Sequence, residues 1–372
     1  MGWSLVSGAR KFLRLDDGFE MRRGGKLNGA EIAYETWGEL NEAGDNAVLI
    51  FTGLSPSAHV TSSQEDPAPG WWEQVVGPSR PLDTRKYFVI CANSMGSCFG
   101  STGPASTNPL SGDPYRLSFP VLSLEDVAMS AKLLIAKLGV DQLEAVVGPS
   151  MGGMTALAFS VMFPELSRSL LIISSSPRTL PFSIALRSIQ REMIRRDPSW
   201  NGGDYPAGEG PITGMRMARK IGMVSYRSAE EWELRFGRER VPEERKTGDG
   251  FALDFEIESY LEAHANKFTG QFDANCYLYL SRASDLFDLA DHGGSLETAY
   301  RRVGPQRITV VGVGSDLLFP VHQQQQLAEG LSTADPSKDV TYVEMDSIHG
   351  HDSFLVDMDR LRPIVQNFFS RD

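Results

Sequence analysis

The chain has 372 residues, 41% hydrophobic and 9% aromatic, enough for one large buried core with an insertion or second lobe. Its 48 acidic against 36 basic residues leave a formal charge of −12, which disfavours nucleic acid and anionic membrane as partners, since both need a basic surface. Three cysteines without a C-x-x-C pair, no run near the roughly 18 apolar residues of a membrane span, and an N-terminus lacking a signal peptide's apolar core fit a reduced, cytoplasmic protein.

Short β-rich apolar runs recur between helix-like stretches, the pattern of a mostly parallel, doubly wound sheet. In chain order the clearest strands are 47–52 (AVLIFT), 87–92 (YFVICA), 144–147 (EAVV), 170–173 (LLII), 308–313 (ITVVGV) and 341–345 (TYVEM). Between the second and third, 123–139 (SLEDVAMSAKLLIAKLG) opens on a Ser-x-x-Asp capping box and stops at Gly139, which predicts a helix. From 181 to 297 the strand rhythm disappears. Segments such as PFSIALRSIQREMIRR and FEIESYLEAHANKF predict helices joined by Gly- and Pro-rich turns, a helical lid inserted into a core built from 1–180 and 298–372. The run Gln323–Gln326 reads as helix surface, and Trp71, Trp72 and Cys98 as packing residues.

Directly after the strand EAVV stands Gly148-Pro149-Ser150-Met151-Gly152, a G-x-S-x-G pentapeptide followed by a helix-like stretch. Small flanking residues let a strained serine point out of the sheet on a strand-to-helix turn, the nucleophile elbow of the α/β-hydrolase fold. There the helix N-terminus favours developing negative charge. A serine hydroxyl needs a histidine base oriented by a carboxylate, and this fold supplies them in the order Ser, acid, His. Asp316 falls just past the end of 308–313, although it could also cap the helix that follows. His349 and His351 lie past 341–345; His351 is preferred, while His264 and His292 read as surface residues and His322 follows the acid strand.

The segments GWW (70–72), GSTGPAS (100–106), VVGPSMGGM (146–154), FDANCYLYL (272–280) and GHDSFL (350–355) resemble the homoserine O-acetyltransferase family over nearly the whole chain. The resemblance implies an α/β-hydrolase core with a helical lid, a homodimer formed through that lid, and transfer of an acyl group from acyl-CoA to an amino-acid hydroxyl. No cofactor or metal is implied beyond the acyl-CoA co-substrate, and no P-loop is visible. It assigns the triad to Ser150, Asp316 and His351, and the oxyanion hole to the N–H groups of Leu54 and Met151. The acceptor's carboxylate and ammonium go to Arg219 and Asp352.

Within the family, Gly53-Leu54-Ser55-Pro56 and PFSIALRSIQRE resemble the serine O-succinyltransferase branch. That resemblance assigns Gly53, Leu54, Ser55 and Pro56 to the acceptor and Arg187 to the acyl donor. An inward Arg187 could pair with a succinyl carboxylate, whereas acetyl would leave a buried guanidinium unpaired, at a cost. The argument requires that no structural carboxylate already uses Arg187. Serine succinylation is the leading expectation. Serine acetylation, homoserine acetylation or succinylation, and a carboxylesterase with the same triad are the alternatives. A non-catalytic binding module would not need to keep Ser150, Asp316 and His351.

Overall fold

Eight strands form the central sheet: β1 (Lys11–Arg14), β2 (Glu31–Trp37), β3 (Ala47–Phe51), β4 (Phe88–Ala92), β5 (Leu143–Pro149), β6 (Ser167–Ile173), β7 (Arg307–Val313) and β8 (Asp339–Met345). They lie in the order β1-β2-β4-β3-β5-β6-β7-β8. β2 is antiparallel to both β1 and β4, and the pairings from β4 to β8 are parallel. The computed structural model describes residues 8–15, 18–206, 208–246, 248 and 250–370, so part of the N-terminus read above for a signal peptide, residues 1–7, lies outside the described residues.

Alternation along the strands explains why both faces are covered. In β3, Ala47, Leu49 and Phe51 pack into one core with α1 (Leu124–Lys137) and α2 (Met151–Met162). Val48 and Ile50 point the other way, into a second core with Trp71, Trp72 and the C-terminal helix. The predicted helix at 123–139 is α1: the Ser123 hydroxyl accepts the Asp126 N–H at 3.2 Å, and Asp126 Oδ2 accepts the Ser123 N–H at 2.8 Å. All six expected strands form, with ends shifted by one to three residues.

β1 and β2 were not among the expected strands. β2 alternates well, but it carries Glu35, only 1% exposed, which interrupts the apolar pattern. Glu35 Oε2 lies 2.8 Å from His59 Nδ1, and the Ala68 carbonyl 2.8 Å from His59 Nε2. This buried pair ties the loop after β3 to the sheet. β1 is a short, largely exposed edge strand, and its lysine and arginine suit an edge.

Between β6 and β7 the chain runs through α3 (Pro181–Arg196), α4 (Ile212–Tyr226), α5 (Ala229–Phe236), α6 (Glu256–Phe268), α7 (Ala274–Leu286) and α8 (Leu296–Arg302). α3 packs on α4 and α7, and α4 on α6, forming a helical layer over the carboxyl ends of the strands. α8 packs on α2 and on α9 (Val321–Ala334), against the sheet. The expected boundary at 297/298 therefore falls inside α8. Two smaller expectations are corrected. Gln323 and Gln324 are buried, with Gln324 Nε2 donating to the Ser175 carbonyl at 2.8 Å. His292 is buried beside Glu125 at 3.2 Å instead of lying on the surface.

Candidate active site

Ser150 sits between β5 and α2 with φ 55° and ψ −126°, a left-handed conformation that non-glycine residues adopt only under constraint. Its N–H donates to the Ile173 carbonyl of β6 at 2.9 Å, which holds the turn on the sheet. Two glycines make the turn possible. A Cβ on Gly148 would stand 2.2 Å from the Gly152 carbonyl oxygen, and one on Gly152 would stand 2.3 Å from the Phe51 carbonyl oxygen. The second approach brings the start of α2 against the end of β3, where Gly53 and Leu54 begin the next turn.

Ser150 Oγ lies 2.8 Å from His351 Nε2, and His351 Nδ1 lies 2.8 Å from Asp316 Oδ2. Asp316 follows β7, and its other oxygen accepts the Leu318 and Phe319 N–H groups, both at 2.8 Å. These bonds close the turn before the next helix and do not cap it: that helix, Val321–Ala334, starts after Pro320 with no side-chain cap, so the capping role weighed from sequence is not the one Asp316 plays. His351 is 4% exposed, stacked on Phe319 with ring centres 5.3 Å apart and meeting Phe354 edge-on at 5.6 Å. Trp72 Nε1 donates to the Phe354 carbonyl at 2.7 Å, so the tryptophan read as packing also braces this wall. Ser315 Oγ donates to the Ser347 carbonyl at 2.5 Å and accepts the Gly350 N–H at 3.0 Å, joining the acid turn to the histidine loop. Such a chain can accept the serine proton at His351 while Asp316 steadies the imidazolium. His349 is outside it, 3.3 Å from Glu231.

The cavity over Ser150 is closed by the helical layer. Its wall contains Gly53, Leu54, Ser55, Pro56, Met151, Arg187, Arg219 and Asp352 beside Ser150 and His351, so the site residues named from sequence face one space, except Asp316, which reaches it through His351. A wider outer chamber shares Ser55, Arg219, Tyr226, Phe268 and Asp352 with it and adds Trp71, Trp232, Arg235, Tyr260 and Lys267. The Arg219 guanidinium lies 4.7 Å above the Phe268 ring, and its buried Nε has no hydrogen-bond partner among the described residues. Tyr226 and Tyr277 complete the inner wall, and burial pushes both phenols above their ordinary value, so they stay neutral. No group of His, Cys, Asp and Glu among the described residues could hold a metal ion, and no helix among them is long and apolar enough to cross a membrane.

The sequence profile described as the alpha/beta hydrolase fold matches residues 46–357. The chain belongs to the α/β-hydrolase fold family. It is 55% identical to a serine O-succinyltransferase of Litchfieldella anticariensis over 97% of this chain and 98% of that one. It is 54% identical to an L-serine/homoserine O-acetyltransferase of Streptomyces lavendulae over 97% of each. The crystal structure of homoserine O-acetyltransferase from Bacillus anthracis superposes with a TM-score of 0.88 at 28% identity, covering 98% of both chains. With such relatives matched end to end, this α/β-hydrolase-fold protein is an acyltransferase, and an acyl donor is one of its substrates.

Two residues named from sequence have ion-pair partners in this acyltransferase. Asp352 is not free: its Oδ2 lies 3.2 Å from Arg227 Nε, and Arg227 Nη1 donates to Glu231 at 2.8 Å. Arg187 faces the cavity but is not unpaired. Its Nε donates to Asp285 Oδ1 at 2.6 Å and its Nη2 to Thr179 Oγ1 at 3.0 Å. A structural carboxylate does use this arginine, so the argument from an orphaned guanidinium fails in that form. Sequence reasoning missed Arg227, Asp285 and Arg191. Arg191 could have been suspected because it lies one helical turn beyond Arg187; Asp285, nearly a hundred residues away, gave no local signal.

Proposed function

We propose that the protein is an L-serine O-succinyltransferase that works through an acyl-Ser150 intermediate, with succinyl-CoA as donor. The observation that carries the acyl-enzyme reading is the relay of 2.8 Å contacts from Asp316 through His351 to Ser150 beneath a covered cavity. Ser150 Oγ attacks the thioester carbonyl as His351 Nε2 takes its proton. The developing oxyanion is held by the Leu54 and Met151 N–H groups. The carbon–sulfur bond breaks, and the CoA thiol leaves with the proton from His351. The acceptor hydroxyl then gives its proton to His351 and attacks the acyl carbon, and Ser150 departs reprotonated.

Arg219 has the chemistry to take the acceptor's carboxylate, since its buried Nε lacks a partner. Asp352 keeps one oxygen for the ammonium while Arg227 orients the other. Charge supports succinyl over acetyl. Arg187 and Arg191 share the single carboxylate of Asp285, leaving one net positive charge beside the cavity that a succinyl carboxylate would balance. The aromatic and basic outer chamber suits the pantetheine arm and phosphates of CoA. Serine as acceptor is favoured by the succinyltransferase relative and by the Gly53-Leu54-Ser55-Pro56 turn. We place the lid at α3–α7, and apolar side chains exposed on it, such as Phe182, Ile189, Met217 and Val224, fit a homodimer formed there.

A matrix of acetyl-CoA and succinyl-CoA against L-serine and L-homoserine, read as kcat/KM, tests the proposal. The highest value belongs to succinyl-CoA with L-serine. A higher value with acetyl-CoA overturns the donor, a higher value with homoserine overturns the acceptor, and donor hydrolysis unaffected by any amino acid overturns transfer in favour of an esterase.

A further inference from the structure

Asp285, in the last turn of α7, has a side chain only 3% exposed. Its two oxygens are divided: Oδ1 lies 2.6 Å from Arg187 Nε, and Oδ2 lies 2.7 Å from Arg191 Nη1. The arginines stand one turn apart on α3, a like-charge spacing that repels without a counter-ion between them. Hydroxyls complete the arrangement. Thr179 Oγ1 accepts from Arg187 Nη2 at 3.0 Å and donates to the Ser284 carbonyl at 2.8 Å, and Ser281 Oγ accepts from Arg191 at 2.9 Å. Two nitrogens of the Arg187 guanidinium, Nε and Nη2, are thereby held. Its Nη1 has no hydrogen-bond acceptor among the described residues, and the side chain lines the same cavity as Ser150.

We infer that Asp285 is a positioning residue for donor selection: it holds Arg187 by Nε, turns the Nη edge into the acyl pocket, and, shared with Arg191, leaves the cluster one positive charge in excess for the donor's distal carboxylate. Asp285 touches no substrate; it acts through Arg187. A carboxylate that bound Arg187 alone would neutralise it. A carboxylate split between two arginines orients the first and preserves its attraction for an anion. The inference deepens the succinyl reading and rests on it.

The test compares succinyl-CoA with butyryl-CoA, a neutral donor of the same chain length, and with acetyl-CoA, in wild type and Asp285→Asn. The variant keeps the volume but replaces the charge-assisted anchor on Arg187 Nε with a weaker amide acceptor, so Arg187 loses its orientation even though the cluster gains positive charge, and positioning is tested apart from net charge. Its kcat/KM for succinyl-CoA falls roughly ten- to a hundredfold, the scale of a lost charge-assisted hydrogen bond, mainly through KM. Its values for butyryl-CoA and acetyl-CoA stay within about twofold of wild type by the same reasoning, because neither donor reaches Arg187 with a charge. Equal losses with all three donors mean a purely structural role and overturn the inference, as does an unchanged succinyl preference. If Asp285→Asn does not fold, Arg191→Gln replaces it: Asp285 then neutralises Arg187 alone, and succinyl-CoA KM rises while butyryl-CoA KM does not. Unchanged KM values in that variant overturn the inference. A wild type that does not prefer succinyl-CoA over butyryl-CoA overturns the donor reading itself, and the inference with it.

Discussion

Gly152→Ala is the sharpest small perturbation of the site. The added methyl carbon would sit 2.3 Å from the Phe51 carbonyl oxygen and 2.9 Å from the Thr52 carbonyl oxygen, both backbone atoms at the end of β3. Opening the first contact to the 3.0 Å floor of real Cβ contacts moves α2 or β3 by 0.7 Å or more. That displacement separates the Met151 N–H at the start of α2 from the Leu54 N–H just past β3. Overpacking of this kind costs about 1–3 kcal/mol, so thermal denaturation shows Tm lowered by several degrees. The effect on catalysis is larger, because misplacing reacting groups by about 1 Å costs about a hundredfold. Release of CoA thiol, followed with a chromogenic disulfide, therefore slows by roughly two orders of magnitude in kcat while the protein remains folded. A Gly152→Ala enzyme with wild-type kcat would refute the argument that this close approach sets the oxyanion geometry.

Asp316→Asn keeps an oxygen for the Leu318 and Phe319 N–H groups but no longer orients the imidazole, so kcat falls by about three to four orders of magnitude in steady-state kinetics with little change in Tm. A loss under tenfold would remove Asp316 from the relay. Trp72→Phe leaves the buried Phe354 carbonyl without its donor; chemical denaturation registers about 1–3 kcal/mol, and no loss would deny the brace. Burial alone would lower the His59 pKa, but the Glu35 carboxylate and the Ala68 carbonyl outweigh it and hold the imidazolium above its ordinary value. Its contribution to stability is complete below the unfolded value of about 6.5 and is lost as pH rises through the higher folded value. Tm of wild type should therefore decline more steeply above neutral pH than that of His59→Gln. Parallel declines would refute the assignment.

The sheet and the helix order were legible because they follow period and punctuation. The alternating apolar runs gave the parallel strands, the Ser123 box gave α1, and G-x-S-x-G between strand and helix marked the turn at Ser150. β2 escaped because it buries a carboxylate whose partner, His59, lies 24 residues on and forms no local pattern. The site divides in the same way. Ser150, Asp316 and His351 each follow a strand, in a fixed order, so sequence located them. The partners of Arg187 and Asp352 did not come from local pattern, because Asp285 sits 98 residues from Arg187 and Arg227 more than a hundred from Asp352. Pairing across the cavity decides whether an arginine is free, and only the fold brings those charges together.

Intact-mass analysis of the enzyme mixed with succinyl-CoA and no acceptor tests whether Ser150 carries the acyl group. One succinyl group per chain is expected, mapped by peptide digestion to Ser150, discharged by L-serine and absent from folded Ser150→Ala. An adduct that persists on Ser150→Ala, or succinyl transfer to serine by that variant at the wild-type rate, would contradict it.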